Sequence, residues 1–237
     1  MRVKLFLYNR FKRLFIGPMK IILNDVDFYD LNQALELKII IQKAFLFASS
    51  NLVGGDYYEF GVYRGRSFKL ALREAAKRNM HCYGFDSFKG LPALHPECDD
   101  NKGLNGKQKW EKGQFACSKE ELSTILSGEF PEESYTLIEG FFEDSLMPEL
   151  AKELTPAAIV HIDSDLYESA NQVLDFVKPL LQDGTVLIFD DYYCFKGNRR
   201  KGEARALSEF LEKNKDIEAT RWFGHHCFGA SFIITLK

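Results

Sequence analysis

Tyr58-Glu59-Phe60-Gly61-Val62-Tyr63-Arg64-Gly65-Arg66-Ser67 is a short apolar run that breaks at two glycines and enters a helical pattern. A buried strand that turns through glycines into a helix leaves a crevice lined by backbone N–H groups. Glycine is needed where φ must be positive or where a ligand comes close to the backbone. The spacing is E-x-G-x-x-x-G, not the G-x-G-x-x-G of dinucleotide sites, which argues against a nicotinamide-dependent oxidoreductase. A helical run from Phe68 to Arg78 leads to a second strand, His81-Cys82-Tyr83-Gly84-Phe85-Asp86. Its terminal acid falls about 20 residues beyond the turn, where doubly wound folds place a carboxylate on ribose hydroxyls. The plain alternative for Asp86 is a helix cap or turn residue.

Working outward, strand and helix patterns alternate from residue 31 to the end. Helices are expected at 31–49, 168–181 and 202–213, and Ser118-x-x-Glu121 is a capping box opening another. Further strands are expected at 135–139, 157–163, 185–191, 219–222 and 227–236. Near-continuous apolar strands separated by helices imply an α/β fold: a doubly wound, mostly parallel seven-stranded sheet, Rossmann-like, with helices on both faces. The irregular stretch 87–117 is long for a compact domain, and such loops usually carry function. With no repeat or linker, the expectation is one domain over 31–237, preceded by a basic arm or lid over 1–30.

A chain of 237 residues with 46% hydrophobic and 27% charged residues is globular and large enough for a sizeable core. A net charge of −3 gives no general affinity for nucleic acid. The five cysteines (Cys82, Cys98, Cys117, Cys194, Cys227) form no C-x-x-C pair, so neither a zinc site nor a disulfide framework is expected, and a reducing cytoplasm fits. Residues 1–20 carry Arg2, Lys4, Arg10, Lys12, Arg13 and Lys20, no acid, and interleaved Leu5, Phe6, Phe11, Leu14 and Phe15. That run is too broken by charge for a signal peptide. It fits either peripheral contact with an anionic membrane or, the reading preferred, packing on its own domain or on a second subunit of a homo-oligomer.

Two strands end in clustered acids, Asp163-Ser164-Asp165 and Asp190-Asp191. The ligand-binding edge of an open α/β sheet lies at such strand ends. Carboxylates converging there repel one another and call for a cation, and all-oxygen ligands suit Mg²⁺, Mn²⁺ or Ca²⁺ rather than zinc. Helix capping would explain one acid of each pair but not the doubling. His161, inside a strand, reads as a core residue; His225 and His226, in a glycine-flanked hairpin, either reach the site or form a plain turn. Asp163-x-Asp165 alone would also fit a metal-dependent glycosyltransferase, and the same fold can serve as a non-catalytic binding module.

Four stretches, EFGVYRG (59–65), GFDSFKGLP (84–92), HIDSDLYES (161–169) and FDDYY (189–193), together resemble the macrocin O-methyltransferase family. Its members are metal-dependent class I enzymes that methylate sugar hydroxyls in antibiotic biosynthesis, and the resemblance covers roughly residues 31–215. It implies S-adenosylmethionine as cofactor, with Glu59, Phe60, Gly61, Val62, Tyr63, Arg64, Gly65 and Ser67 around its methionine part. Asp86 and Ser87, with Phe88 beside them, would meet the ribose; Asp144 and Ser145 would lie near the adenine. Asp163, Asp190 and Asp191 would bind Mg²⁺ (or Mn²⁺), with Asp163 also in the catalytic group and Asp165 as general base. The implied acceptor is a small molecule with a vicinal diol, a sugar in a natural product or polysaccharide; a catechol has the same geometry. Loop 87–117, the basic arm and the tail around His225 and His226 depart from the family pattern.

Overall fold

The computed structural model describes residues 25–93 and 110–237. The basic segment 1–20 and the middle of loop 87–117 therefore lie outside the described residues. Among those described, seven strands form one sheet: β1 Asp56–Phe60, β2 Cys82–Asp86, β3 Tyr135–Glu139, β4 Ala157–Ile162, β5 Val186–Phe189, β6 Ile217–His225 and β7 Gly229–Leu236. The strand order is β3-β2-β1-β4-β5-β7-β6. Strands β1 to β5 run parallel, while β7 is antiparallel to both β5 and β6. The helices are α1 Asp25–Ser50, α2 Arg66–Ala75, α3 Lys119–Ser127, α4 Phe142–Ser145, α5 Pro148–Glu153, α6 Tyr167–Val177 and α7 Gly202–Lys213.

Every residue of β4 and β5 is buried, as expected of central parallel strands covered on both faces. The period-two alternation divides them between two cores. Tyr58, Phe60, Val160, Ile162, Leu187 and Phe189 pack against α6 and α7. Tyr57, Ile159 and Ile188 pack against α1 and α2 through Ile41, Phe45, Phe68 and Leu72. Burying each such side chain contributes about 1.5–3 kcal/mol. Polar residues interrupt the second face. Glu59 pairs in register with His161, and His161 with Ile188, so Glu59, His161 and, two residues past Ile188, Asp190 share one side of the sheet. The strand order reverses between β1 and β4, and the crevice beyond such a switch point is where open α/β sheets bind ligands.

Element ends depart from the sequence expectations in physically clear ways. Helix α1 begins at Asp25, so it runs through the 30/31 boundary expected between arm and domain. Helix α2 ends at Ala75 because Asn79 takes a left-handed φ of 55° and the chain turns back, with Met80 N–H on the Ala75 carbonyl. Strand β6 is nine residues long, not four: polar Glu218, Thr220 and Arg221 are exposed on an edge strand, where polar side chains are tolerated.

Candidate active site

At the carboxyl ends of β1, β4 and β5 a cavity of about 670 Å³ opens. Gly61, with φ of +92°, makes its floor: a Cβ there would lie 1.8 Å from the Asp163 carbonyl oxygen. The glycine turn and the 163–165 loop thus touch backbone to backbone, which only glycine permits. Asp86 braces the turn. Its Oδ2 accepts from Val62 N–H at 2.8 Å and Tyr63 N–H at 2.9 Å, and its Oδ1 from Phe88 N–H at 2.8 Å. The carboxylate also lines the cavity, and with about four acceptor sites it keeps capacity for a ligand hydroxyl. The turn-residue reading of Asp86 and its placement in the site therefore hold together.

Glu59 stands behind the wall. It is fully buried and does not line the cavity. The Ser67 hydroxyl donates to its Oε1 at 2.6 Å, and the Tyr57 hydroxyl donates to its Oε2. Ser67, Val62, Tyr63 and Arg64 line the cavity, as does Ser87, whose hydroxyl donates to the Gly90 carbonyl. Phe60 is stacked on Phe85 in the core, and Gly65 and Phe88 are also outside the wall. Near the third strand the wall is Gly140, Phe141, Phe142 and Glu143. Asp144 is exposed and outside it, and Ser145 turns its hydroxyl to the Phe141 carbonyl at 3.0 Å.

Asp163, Asp165, Asp190 and Asp191 all reach the same cavity. Ligand atoms of His161, Asp163 and Asp190 lie within 4.8 Å of one another; Asp191 is in no such group. Its Oδ1 accepts from the Cys194 thiol, and its N–H donates to Glu203 Oε2 at 2.9 Å. Asp165 takes φ of 60°, and its Oδ1 accepts from Trp110 Nε1–H at 2.7 Å. Tyr63, Phe88 and His226 also have positive φ, at 47°, 55° and 36°. Such strain in non-glycine residues, about 1–3 kcal/mol each, collects at functional sites.

Burial, then the charge of Asp190, pushes the Asp163 carboxyl well above the usual range. Burial and like charge around a carboxyl are what a divalent cation would offset, so the donor set fits one. Asp190 behaves oppositely. Burial alone would raise it, but the His161, His225 and His226 rings beside it, the last at hydrogen-bond distance, hold it well below the carboxylate range. His161 is wholly buried, as expected of a core residue, yet it is not idle. Its Nδ1 is 3.1 Å from the Tyr57 hydroxyl and 3.4 Å from Glu59 Oε2, and its Nε2 is 3.9 Å from Asp190 Oδ1. Burial lowers its pKa, but Asp190 and Glu59 more than reverse this, to about 10. The ring thus lies between the acid behind the glycine turn and the acid at the cavity.

His225 and His226 resolve toward the site: their Nε2 atoms lie 3.5 Å and 3.0 Å from Asp190 Oδ1. Glu203 and Trp110 carry no expectation from sequence. For Glu203 a signal exists, because Glu203, Ala206, Leu207 and Phe210 form one buried helical stripe, and an acid on such a stripe is out of place. Burial and the Asp191 charge raise its pKa well above the usual range. Trp110 gives no signal, since it sits in a stretch without periodicity.

A family model described as macrocin-O-methyltransferase (TylF) matches residues 39–222. The chain belongs to that family. It is therefore a class I methyltransferase using S-adenosylmethionine, and Asp163-x-Asp165 stands in that setting rather than in a nucleotide-sugar transferase. Among curated relatives, the 8-demethyl-8-(2,3-dimethoxy-alpha-L-rhamnosyl)-tetracenomycin-C 4'-O-methyltransferase of Streptomyces olivaceus is 27% identical, over 73% of this chain and 67% of that protein. Demethyldecarbamoylnovobiocin O-methyltransferase of Streptomyces niveus is 29% identical over 60% of this chain, and the match spans 54% of its length. The O-methyltransferase NovP has the same fold, with a TM-score of 0.67 at 23% identity over 84% of this chain and 79% of its own. Calicheamicin methyltransferase CalS11 follows at 0.61 and 20%, over 92% and 83%.

Proposed function

We propose that this macrocin O-methyltransferase family member methylates one hydroxyl of a vicinal diol, on a sugar of a natural product or polysaccharide, with a divalent cation held by Asp163 and Asp190 and flanked by Asp191. The observation that carries the reading is the convergence of Asp163 and Asp190 ligand atoms within 4.8 Å at the wall of the cavity floored by the glycine turn. Of the curated relatives, one O-methyltransferase is named for a rhamnosyl tetracenomycin and another for a novobiocin derivative, which supports a natural-product acceptor.

S-adenosylmethionine supplies a methyl on a sulfonium, ready for in-line displacement. A divalent cation held by Asp163 and Asp190 would lower the pKa of an acceptor hydroxyl. The chain's residues do the rest. The turn at Gly61 and the Asp86 carboxylate hold the cofactor's polar groups, and Phe141 and Phe142 offer apolar wall beside it. Fixing donor and acceptor in line lowers the barrier by positioning. Trp110 orients Asp165, which takes the acceptor hydroxyl proton at about 2.6–3.2 Å as the oxygen–carbon bond forms and the carbon–sulfur bond breaks. The products are the methyl ether, S-adenosylhomocysteine and protonated Asp165.

Among the described residues no helix is long and apolar enough to cross a membrane. The four described cysteines are free thiols, which supports a reducing compartment such as the cytoplasm. Exposed Leu31, Leu35, Ile39 and Leu46 lie on one stripe of α1, which supports subunit contact in a homo-oligomer. The test of function is transfer of labelled methyl from S-adenosylmethionine to a panel of sugar diols and catechols, with Mg²⁺ or with chelator. Transfer to a sugar diol that stops in chelator supports the reading. Full transfer in chelator, or full activity of Asp165→Asn, overturns the mechanism.

A further inference from the structure

His225 and His226 stand behind Asp190, and the chemistry above uses neither. Asp190 lines the cavity, whereas His161, His225 and His226 do not. The donors to this carboxylate therefore come from the side away from any ligand. The three are not equivalent. His161 stands off at 3.9 Å. His225 is buried with neither ring nitrogen hydrogen-bonded, its Nε2 3.5 Å from Asp190 Oδ1. His226 is at hydrogen-bond distance, Nε2 to Oδ1 3.0 Å.

A second contact settles the direction of that bond. The Phe228 backbone N–H donates to His226 Nδ1 at 3.2 Å. A ring nitrogen that accepts an amide proton carries its lone pair there, so the ring proton of neutral His226 is on Nε2. Nε2–H then donates to Asp190 Oδ1. The same assignment removes His226 as a metal ligand, because its one lone pair is committed to Phe228. The grouping of Asp190, His225 and His226 atoms within 4.8 Å is thus a support behind a carboxylate, not a second cation site. The geometry is built in: His226 takes φ of 36°, and the hairpin tip is tied down by Tyr193 N–H on the Phe228 carbonyl at 2.8 Å.

We propose that His226 is a positioning residue: its Nε2–H, fixed by the Phe228 amide, holds Asp190 in the orientation that presents its charge to the cation. The proposal rests on the cation-assisted reading above. Outer donors of this kind typically change metal affinity 10- to 100-fold when removed.

The experiment is Mn²⁺ binding, read by electron paramagnetic resonance and calorimetry, on the full chain and on His226→Ala, His226→Gln and His226→Asn, with S-adenosylhomocysteine affinity in parallel. Gln and Asn carry the same amide, but only Gln reaches the position of Nε2. Mn²⁺ affinity should fall about 10- to 100-fold in Ala and Asn and largely return in Gln, while S-adenosylhomocysteine affinity stays within about twofold. The Gln and Asn pair decides the matter even if His226→Ala does not fold. Equal Mn²⁺ affinity in Gln and Asn, or unchanged affinity in Ala, overturns the proposal and leaves the cation reading standing. A parent chain that binds no Mn²⁺ overturns both.

Discussion

Gly61→Ala concentrates the logic of the site in one methyl group. The new Cβ would sit 1.8 Å from the Asp163 carbonyl oxygen, where real Cβ contacts do not fall below 3.0 Å. One backbone must retreat by about 1.2 Å. Neither is free to do so: Gly61 N–H is bound to the Phe85 carbonyl at 2.8 Å, and Asp163 N–H to the Phe60 carbonyl at 2.9 Å. Alanine at positive φ costs about 1–2 kcal/mol. Losing one or two buried backbone hydrogen bonds costs about 1–3 kcal/mol each. The total, roughly 2–8 kcal/mol, is a large share of the 5–15 kcal/mol typical of a domain. Urea unfolding should show that loss, and calorimetry should show S-adenosylhomocysteine binding reduced beyond detection, because the turn and the 163–165 loop move apart. A variant within about 1 kcal/mol of the parent that still binds the cofactor product would refute the close approach on which the site is built.

Asp190→Ala should abolish Mg²⁺ stimulation of methyl transfer while S-adenosylhomocysteine still binds; activity that survives both the substitution and chelator would remove the cation from the mechanism. Trp110→Phe takes one hydrogen bond from the proposed base and should lower kcat about 10-fold or more with KM for S-adenosylmethionine little changed, measured by steady-state kinetics. Away from the site, burial raises the Glu74 carboxyl, but hydrogen bonds from Lys77, Arg78 and Gln42 outweigh it and the net shift is downward from 4.5. A folded pKa below the unfolded one gives stability that is present above about 4.5 and lost as pH falls through the folded value. Glu74→Gln should therefore destabilise by about 1–2 kcal/mol at pH 7 in urea, with the gap narrowing toward pH 4; a gap that stays constant would contradict it.

The sheet was largely readable because its signals are local. Ile159, Val160 and Ile162 announce a strand buried on both faces, and the glycine turn after Phe60 announces the crevice. The acids at 163, 165, 190 and 191 could be placed together because parallel strands bring their carboxyl ends to one edge. The support behind them could not. His226 meets Asp190 only because β7 returns antiparallel to β5, pairing Ala230 with Phe189, and so sets the hairpin tip beside the next residue. That adjacency depends on strand order, which no local pattern encodes. The wall near the third strand shows a finer limit. Its turn is legible, but whether Glu143 or Asp144 faces the cavity depends on the phase of a four-residue helix. Trp110 reaches Asp165 across the chain from a stretch with no period to read.

The most direct measurement is calorimetric titration of S-adenosylmethionine and S-adenosylhomocysteine into the full chain, with and without Mg²⁺. The expected result is saturable micromolar binding of one cofactor molecule per chain. No binding with Mg²⁺ present would contradict the claim that the cavity at Gly61, Asp86 and Asp163 is the methyl donor's site.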